Sequence, residues 1–238
     1  MQSTPKILLS ISLSAALTAC TGLSPDGVEV VDSTSSSGQA QSELSRPKSY
    51  RVTVKNVTAG NGLSPPLVIV QSSDFRLFEV GKAASAGLAK VAETGGTDVL
   101  ESELKDLPGI KAVAKAEGGP IPAGQTRTID IVMPAGTKSP RLNLVAMIGK
   151  SNDSFVSRAE AIDLGLADIG AIVVTLTNFD SGSEQNSGNV EDFGPAGHPV
   201  AEAEGMISYD RGLNLRGNAP ETAGWGSIAG VVRIERRY

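Results

Sequence analysis

Two short acidic stretches hold the residues best suited to chemistry. The first, Gly149-Lys150-Ser151-Asn152-Asp153-Ser154-Phe155-Val156, follows an alternating apolar run over residues 141–148. The second, Asp180-Ser181-Gly182-Ser183-Glu184, follows a long β-branched run over residues 171–179. Each places a carboxylate just past a predicted strand end, among small, polar, turn-forming residues. Asp153, Asp180 and Glu184 could offer hard oxygen ligands to Ca²⁺, with backbone carbonyls and water completing roughly six to eight positions. Gly182, between Asp180 and Glu184, lets the loop curl so that both acids face one ion. The two loops meet only if both strands run in the same direction, with a segment such as 154–161 returning the chain between them. The same residues also suit two solvated loops that simply keep an acidic protein soluble, and on spacing alone that plainer arrangement is the commoner one.

Other chemistries find little support. The single histidine, His198, sits in the turn-rich Gly197-His198-Pro199, and no Gly-x-Ser-x-Gly elbow accompanies it. Cys20 is the single cysteine, so neither a cysteine nucleophile beyond it nor a His/Cys zinc site can be assembled. No Walker loop or dinucleotide fingerprint is present. Paired-carboxylate hydrolysis remains compatible with 26 Asp and Glu residues. A sugar-cleaving groove usually carries aromatic platforms, however, and Trp225 is the one tryptophan. Glu191, Asp192, Glu202 and Glu204 could add ligands or be solvated. The expectation is a protein that is not an enzyme.

The elements that must position these acids are short strands. Tyr50, Val52 and Val54 alternate with Arg51, Thr53 and Lys55, the period-two signature of a half-buried strand. Further strands are predicted over 67–70, 76–80, 126–133, 141–148, 171–179 and 227–235. Gly/Pro/Asn turns separate them, as at Gly118-Gly119-Pro120 and Pro134-Ala135-Gly136. One short helix is predicted over 85–93, with Ser85 as N-cap and Gly95 just beyond its end. Many short strands and almost no helix predict an all-β fold, an antiparallel β-sandwich. A membrane barrel fits less well, because its aromatic girdles are hard to build from 4% aromatic residues.

The N-terminus predicts export. Lys6 precedes an apolar run over residues 7–17, about 11 residues and too short for the roughly 20 that span a bilayer. Leu17-Thr18-Ala19-Cys20 matches a lipobox, so residues 1–19 are expected to be a lipoprotein signal peptide and Cys20 the lipidated residue. With Thr21 rather than Asp next, sorting to the outer membrane of the cell envelope is expected. Residues 20–49 then form a lipidated cysteine and a flexible tether rich in Ser, Gly and Gln, and residues 50–238 the β domain. Loss of Lys6 would take the formal charge from −5 to −6. That acidity argues against a nucleic-acid partner, whose phosphates need a basic surface.

These stretches also resemble a family, the spondin N-terminal domain found in F-spondin and mindin and in bacterial lipoproteins. The resemblance is carried by Tyr50-Arg51-Val52-Thr53-Val54-Lys55-Asn56-Val57-Thr58, Leu63-Ser64-Pro65-Pro66-Leu67-Val68 and Phe75-Arg76-Leu77-Phe78-Glu79-Val80-Gly81. It continues through Asn152-Asp153-Ser154-Phe155-Val156 and Phe179-Asp180-Ser181-Gly182-Ser183-Glu184. It implies a sandwich related to C2 domains that binds one Ca²⁺ at an edge through Asp153, Asp180 and Glu184. Ser154, Phe179 and Glu184 stand where the family often has Trp, Tyr and Asp. The function expected from residues and resemblance together is a membrane-anchored, calcium-binding, non-enzymatic binding or adhesion module, with a protein or glycan partner at the cell surface. An envelope hydrolase using carboxylates, and a structural envelope lipoprotein without a small ligand, are the alternatives.

Overall fold

In the computed structural model, which describes residues 46–72, 75–194 and 202–238, Tyr50, Val52 and Val54 form the buried face of the first strand. Cys20, the signal segment, most of the tether and His198 lie outside the described residues. The described residues form ten strands in chain order, that one included. They are β1 (Lys48–Asn56), β2 (Leu67–Gln71), β3 (Ile110–Lys115), β4 (Thr126–Met133), β5 (Arg141–Met147), β6 (Ser154–Ser157), β7 (Ile162–Asp163), β8 (Ile172–Asp180), β9 (Ser208–Tyr209) and β10 (Ile228–Arg237). Their spatial order is β3-β2-β5-β6-β8-β10-β1-β4, with β7 added to β5 and β9 to β8. Every pairing is antiparallel. The two ends of this order, β3 and β4, come back beside each other, so the sheet curls into a nearly closed, barrel-like sandwich. The all-β, antiparallel expectation holds.

Two cores follow from strand parity. Val68 and Val70 of β2, with Leu142 and Leu144 of β5, point inward to meet Val52, Val54, Leu176 and Val232. Their neighbours Leu67, Ile69 and Val145 point to the opposite face and are equally buried. A strand buried on both faces reads as a continuous apolar run rather than an alternation, as Leu67-Val68-Ile69-Val70 does. The outer layer that covers this second face is helical. No helix among the described residues is long and apolar enough to cross a membrane.

That outer layer holds two helices rather than the single one expected. The first, α1 (Ala86–Thr94), starts where Ser85 accepts a hydrogen bond from the Leu88 N–H and ends at Gly95 in the left-handed region, φ 70°. The second, α2 (Asp98–Leu104), turns back across it and buries Leu100 and Leu104. Glu103 joins them, accepting hydrogen bonds from the Ser85 hydroxyl at 2.6 Å and the Gly87 N–H at 2.7 Å. At the crossing a Cβ on Gly87 would lie 2.5 Å from Leu100 Cα. The two helices therefore touch backbone to backbone.

The strand expected over 76–80 is not formed. Its aromatic residue does a different job: Phe78 packs edge-on against both Phe155 and Phe179, with centroids 5.3 and 4.7 Å away. A segment anchored by one packed ring need not alternate between two faces, and Val80 is left exposed. The short element 154–157, expected as a return segment, is β6.

Gly87→Ala tests the helix crossing. Intrinsic propensity would favour Ala in a helix by roughly 1 kcal/mol, but overpacking against fixed backbone costs about 1–3 kcal/mol. The collision should win, lowering the urea midpoint of unfolding; an unchanged or raised midpoint would show that the helices are free to separate.

Candidate functional site

The site is made by β6. It lies between β5 and β8, antiparallel to both, so those two strands run the same way and end at one edge. Ser154 pairs with Asp180 in register, and the ladder continues one step beyond, where the Ser181 N–H donates to the Asp153 carbonyl at 3.1 Å. The loops after β5 and β8 are thereby forced together.

Asp153 organises the second loop. Its Oδ2 accepts hydrogen bonds from the Ser181 hydroxyl at 2.9 Å, the Ser183 N–H at 2.8 Å and the Glu184 N–H at 3.0 Å. The Ser183 hydroxyl lies 3.2 Å from the same oxygen. Asp180 Oδ1 accepts from the Gly182 N–H at 2.8 Å, closing a tight turn. Gly182 has φ 69°, and a Cβ there would come within 2.4 Å of the Met206 carbonyl oxygen. Only glycine fits.

All three predicted acids are buried: Asp153 is 1%, Asp180 6% and Glu184 8% exposed. Burial raises the pKa of each. Asp180 is pushed up to about 7, by burial first and then by the charge of Asp153, against the Gly182 N–H; Glu204 and Asp210 push it further. Glu184 also rises to about 7, from burial and then the charges of Glu93, Asp153 and Asp192. For Asp153 burial exceeds the opposing pull of the Glu184, Ser181 and Ser183 donors. No Lys or Arg among the described residues forms an ion pair with any of the three.

The structure thus brings Asp153 and Asp180 together. Glu184 joins them through its backbone N–H, whereas the strongest charge felt by its carboxyl is that of Glu93. Among the described residues, no group of three or more His, Cys, Asp or Glu side chains is arranged as a metal cluster. A further acid also belongs to this edge. Asp210, just after β9, is 8% exposed; it accepts from the Gly212 N–H at 2.7 Å and from the Trp225 indole N–H. A signal for it existed in the sequence, since Asp210-Arg211-Gly212 repeats the Asp-x-Gly turn of Asp180-Ser181-Gly182. β9 pairs antiparallel with the end of β8, Ser208 opposite Asp180, and the Asp210 N–H donates to the Asn178 carbonyl at 3.2 Å, so Asp210 stands two residues back along β8 from Asp180, near enough for its charge to raise Asp180.

These shifts have a sign. An acid with a raised folded-state pKa stays protonated while the unfolded chain ionises, so stability falls as pH climbs from the ordinary value towards the raised one and is flat above it. In calcium-free buffer, Asp180→Asn should remove its share of that decline between about pH 4 and pH 7. The measurement is the difference in melting temperature between wild type and variant against pH. A constant difference across that range would contradict the burial of an ionisable Asp180.

No curated protein matches the chain. The Spondin_N family model matches residues 42–191, which is more than half of the chain and includes Asp153, Asp180 and Glu184. The match stops short of β10, yet β10 lies between β1 and β8 in the sheet, so the folded unit extends past the matched span. The chain belongs to the Spondin_N family.

Proposed function

We propose that this spondin-like binding module is a calcium-dependent, non-enzymatic adhesion or binding protein, displayed on the cell envelope by lipid on Cys20. The observation that carries the proposal is the burial of Asp153 and Asp180 at one edge, close enough for the charge of Asp153 to raise Asp180, with no ion pair to Lys or Arg among the described residues. Burying an uncompensated charge is expensive, and such groups either neutralise or find a cation. Carboxylate oxygens from Asp153 and Asp180 are hard donors that suit such a cation, and Glu184 is the third acid of the proposal. When bound, Ca²⁺ would supply the positive charge that this edge lacks.

The chain's own residues do the rest. Asp153 Oδ2 already holds residues 181–184 in place, and Asp180 fixes its own turn through Gly182. A cation at their remaining oxygens would oppose the separation of the two loops and give the edge one shape for a partner. The proposed anchoring rests on the lipobox Leu17-Thr18-Ala19-Cys20, with the segment between Cys20 and the β domain as its tether.

A second reading has its own observation. A carboxyl titrating near 7 that lines a cavity is suited to general acid–base work, so Asp180 could serve an envelope hydrolase. Hydrolysis surviving full chelation and lost in Asp180→Asn would favour it over the adhesion module.

Calcium should raise the melting temperature of the wild-type chain. At a hundredfold excess over the dissociation constant the gain is about 2.7 kcal/mol. Asp153→Asn and Asp180→Asn should each abolish it, and Mg²⁺ should do less, because it demands a stricter octahedron. A wild-type chain that shows neither heat of binding nor a melting shift in millimolar Ca²⁺ would refute the calcium site.

A further inference from the structure

Beside the acidic edge lies an open cavity of about 460 Å³, within the range of small-ligand sites. Its walls come from the end of β8, the loop after it, and β9 with the loop that follows. Asp180, Asn186, Glu204, Tyr209, Arg211 and Arg216 line it, and Leu213 is the one aliphatic side chain there.

Three features of this lining point to one ligand chemistry. First, the guanidinium groups of Arg211 and Arg216 make no hydrogen bond or ion pair among the described residues, although acids stand nearby. A guanidinium offers paired donors matched to a planar carboxylate. Second, Tyr209 is 60% exposed, yet it is not loose. Its ring rests on Phe179, with centroids 5.4 Å apart and planes 32° apart, and its strand is paired to β8. One aromatic face is therefore held rigidly at the cavity. Third, Asp180, Glu204 and the Asn186 amide are acceptors and donors of the kind that hydroxyl groups need, whereas a peptide's apolar side chains would find only Leu213. The loops that carry these groups are tied together, since the Asn214 amide donates to the Asn186 carbonyl at 2.8 Å and the Asn186 amide to the Gly212 carbonyl at 3.4 Å. The site is preorganised.

We propose that this cavity binds an acidic sugar of an anionic glycan. The sugar carboxylate would meet Arg211 and Arg216, an apolar C–H face would lie on Tyr209, and the hydroxyls would donate to Asp180 and Glu204. The proposal builds on the binding-module reading by naming the partner's chemistry. It shares Asp180 with the calcium site but does not require the ion.

The test is calorimetry on the full chain in excess chelator with three probes. These are a glucuronate-containing tetrasaccharide, its neutral carboxyl-reduced counterpart, and an acidic tetrapeptide. The first should bind, and the second should bind at least about tenfold more weakly, the loss of one charge-assisted contact. The double variant Arg211→Gln/Arg216→Gln should lose about tenfold or more for the first probe with an unchanged melting temperature, and Tyr209→Ala should weaken both saccharides. No binding of the first probe, equal binding of the neutral one, tighter binding of the peptide, or an unaffected arginine variant would each overturn the proposal. A calcium melting shift without saccharide binding would overturn this site alone, whereas saccharide binding without any calcium response would overturn the cation site alone.

Discussion

Everything at the acidic edge depends on a four-residue strand. β6 separates β5 from β8 and runs against both, so two strands distant in sequence finish at one edge. Without it Asp153 and Asp180 would have no reason to meet. Once they share this edge, its low dielectric decides their chemistry: each carboxyl has lost water, and neither has gained a basic partner among the described residues. The hydrogen bonds to Asp153 Oδ2 recover part of that loss and at the same time shape the 181–184 loop. The site is therefore a structural tie and a source of electrostatic strain in the same few residues.

The rest of the fold keeps that edge rigid. Phe155 and Phe179 stand on β6 and β8 one residue from Ser154 and Asp180, and they stack 5.5 Å apart beneath the helices. Phe78 seals them from the side, and Tyr209 continues the row outward to solvent. Burial of a large side chain of this kind contributes roughly 1.5–3 kcal/mol, so the aromatic row is a substantial part of what fixes the strand ends. Trp225 plays the matching role for the neighbouring turn, donating its indole N–H to buried Asp210.

Strands that bury one face were legible in the sequence. Tyr50-x-Val52-x-Val54 and residues 126–133 alternate because water lies on one side of them, and β4 (Thr126–Met133) has the boundaries expected of it. The caps of α1 were legible too, because Ser85 and Gly95 have conformational preferences that hold without tertiary context. What escaped depends on tertiary partners. α2 is only seven residues, and its capping threonine, Thr97, makes a side-chain bond to Glu101 rather than to a free backbone N–H. β7 and β9 are two-residue strands that exist only because β5 and β8 offer open backbone. Residues 76–80 carry a strand's composition, but Phe78 is captured by two other rings. The placing of Asp153 and Asp180 at one edge was legible in part, because acids after strand ends are a local signal. Asp210 needed the pairing of β9 with β8 before its repeated Asp-x-Gly turn acquired meaning.

The calcium proposal turns on whether buried Asp180 takes a cation. Carbon NMR of its carboxyl group, titrated with and without calcium, measures this most directly. The account predicts a midpoint near 7 in calcium-free solution, falling well below the ordinary carboxylate range in millimolar Ca²⁺. A midpoint at the ordinary value near 4, unmoved by calcium, would contradict it.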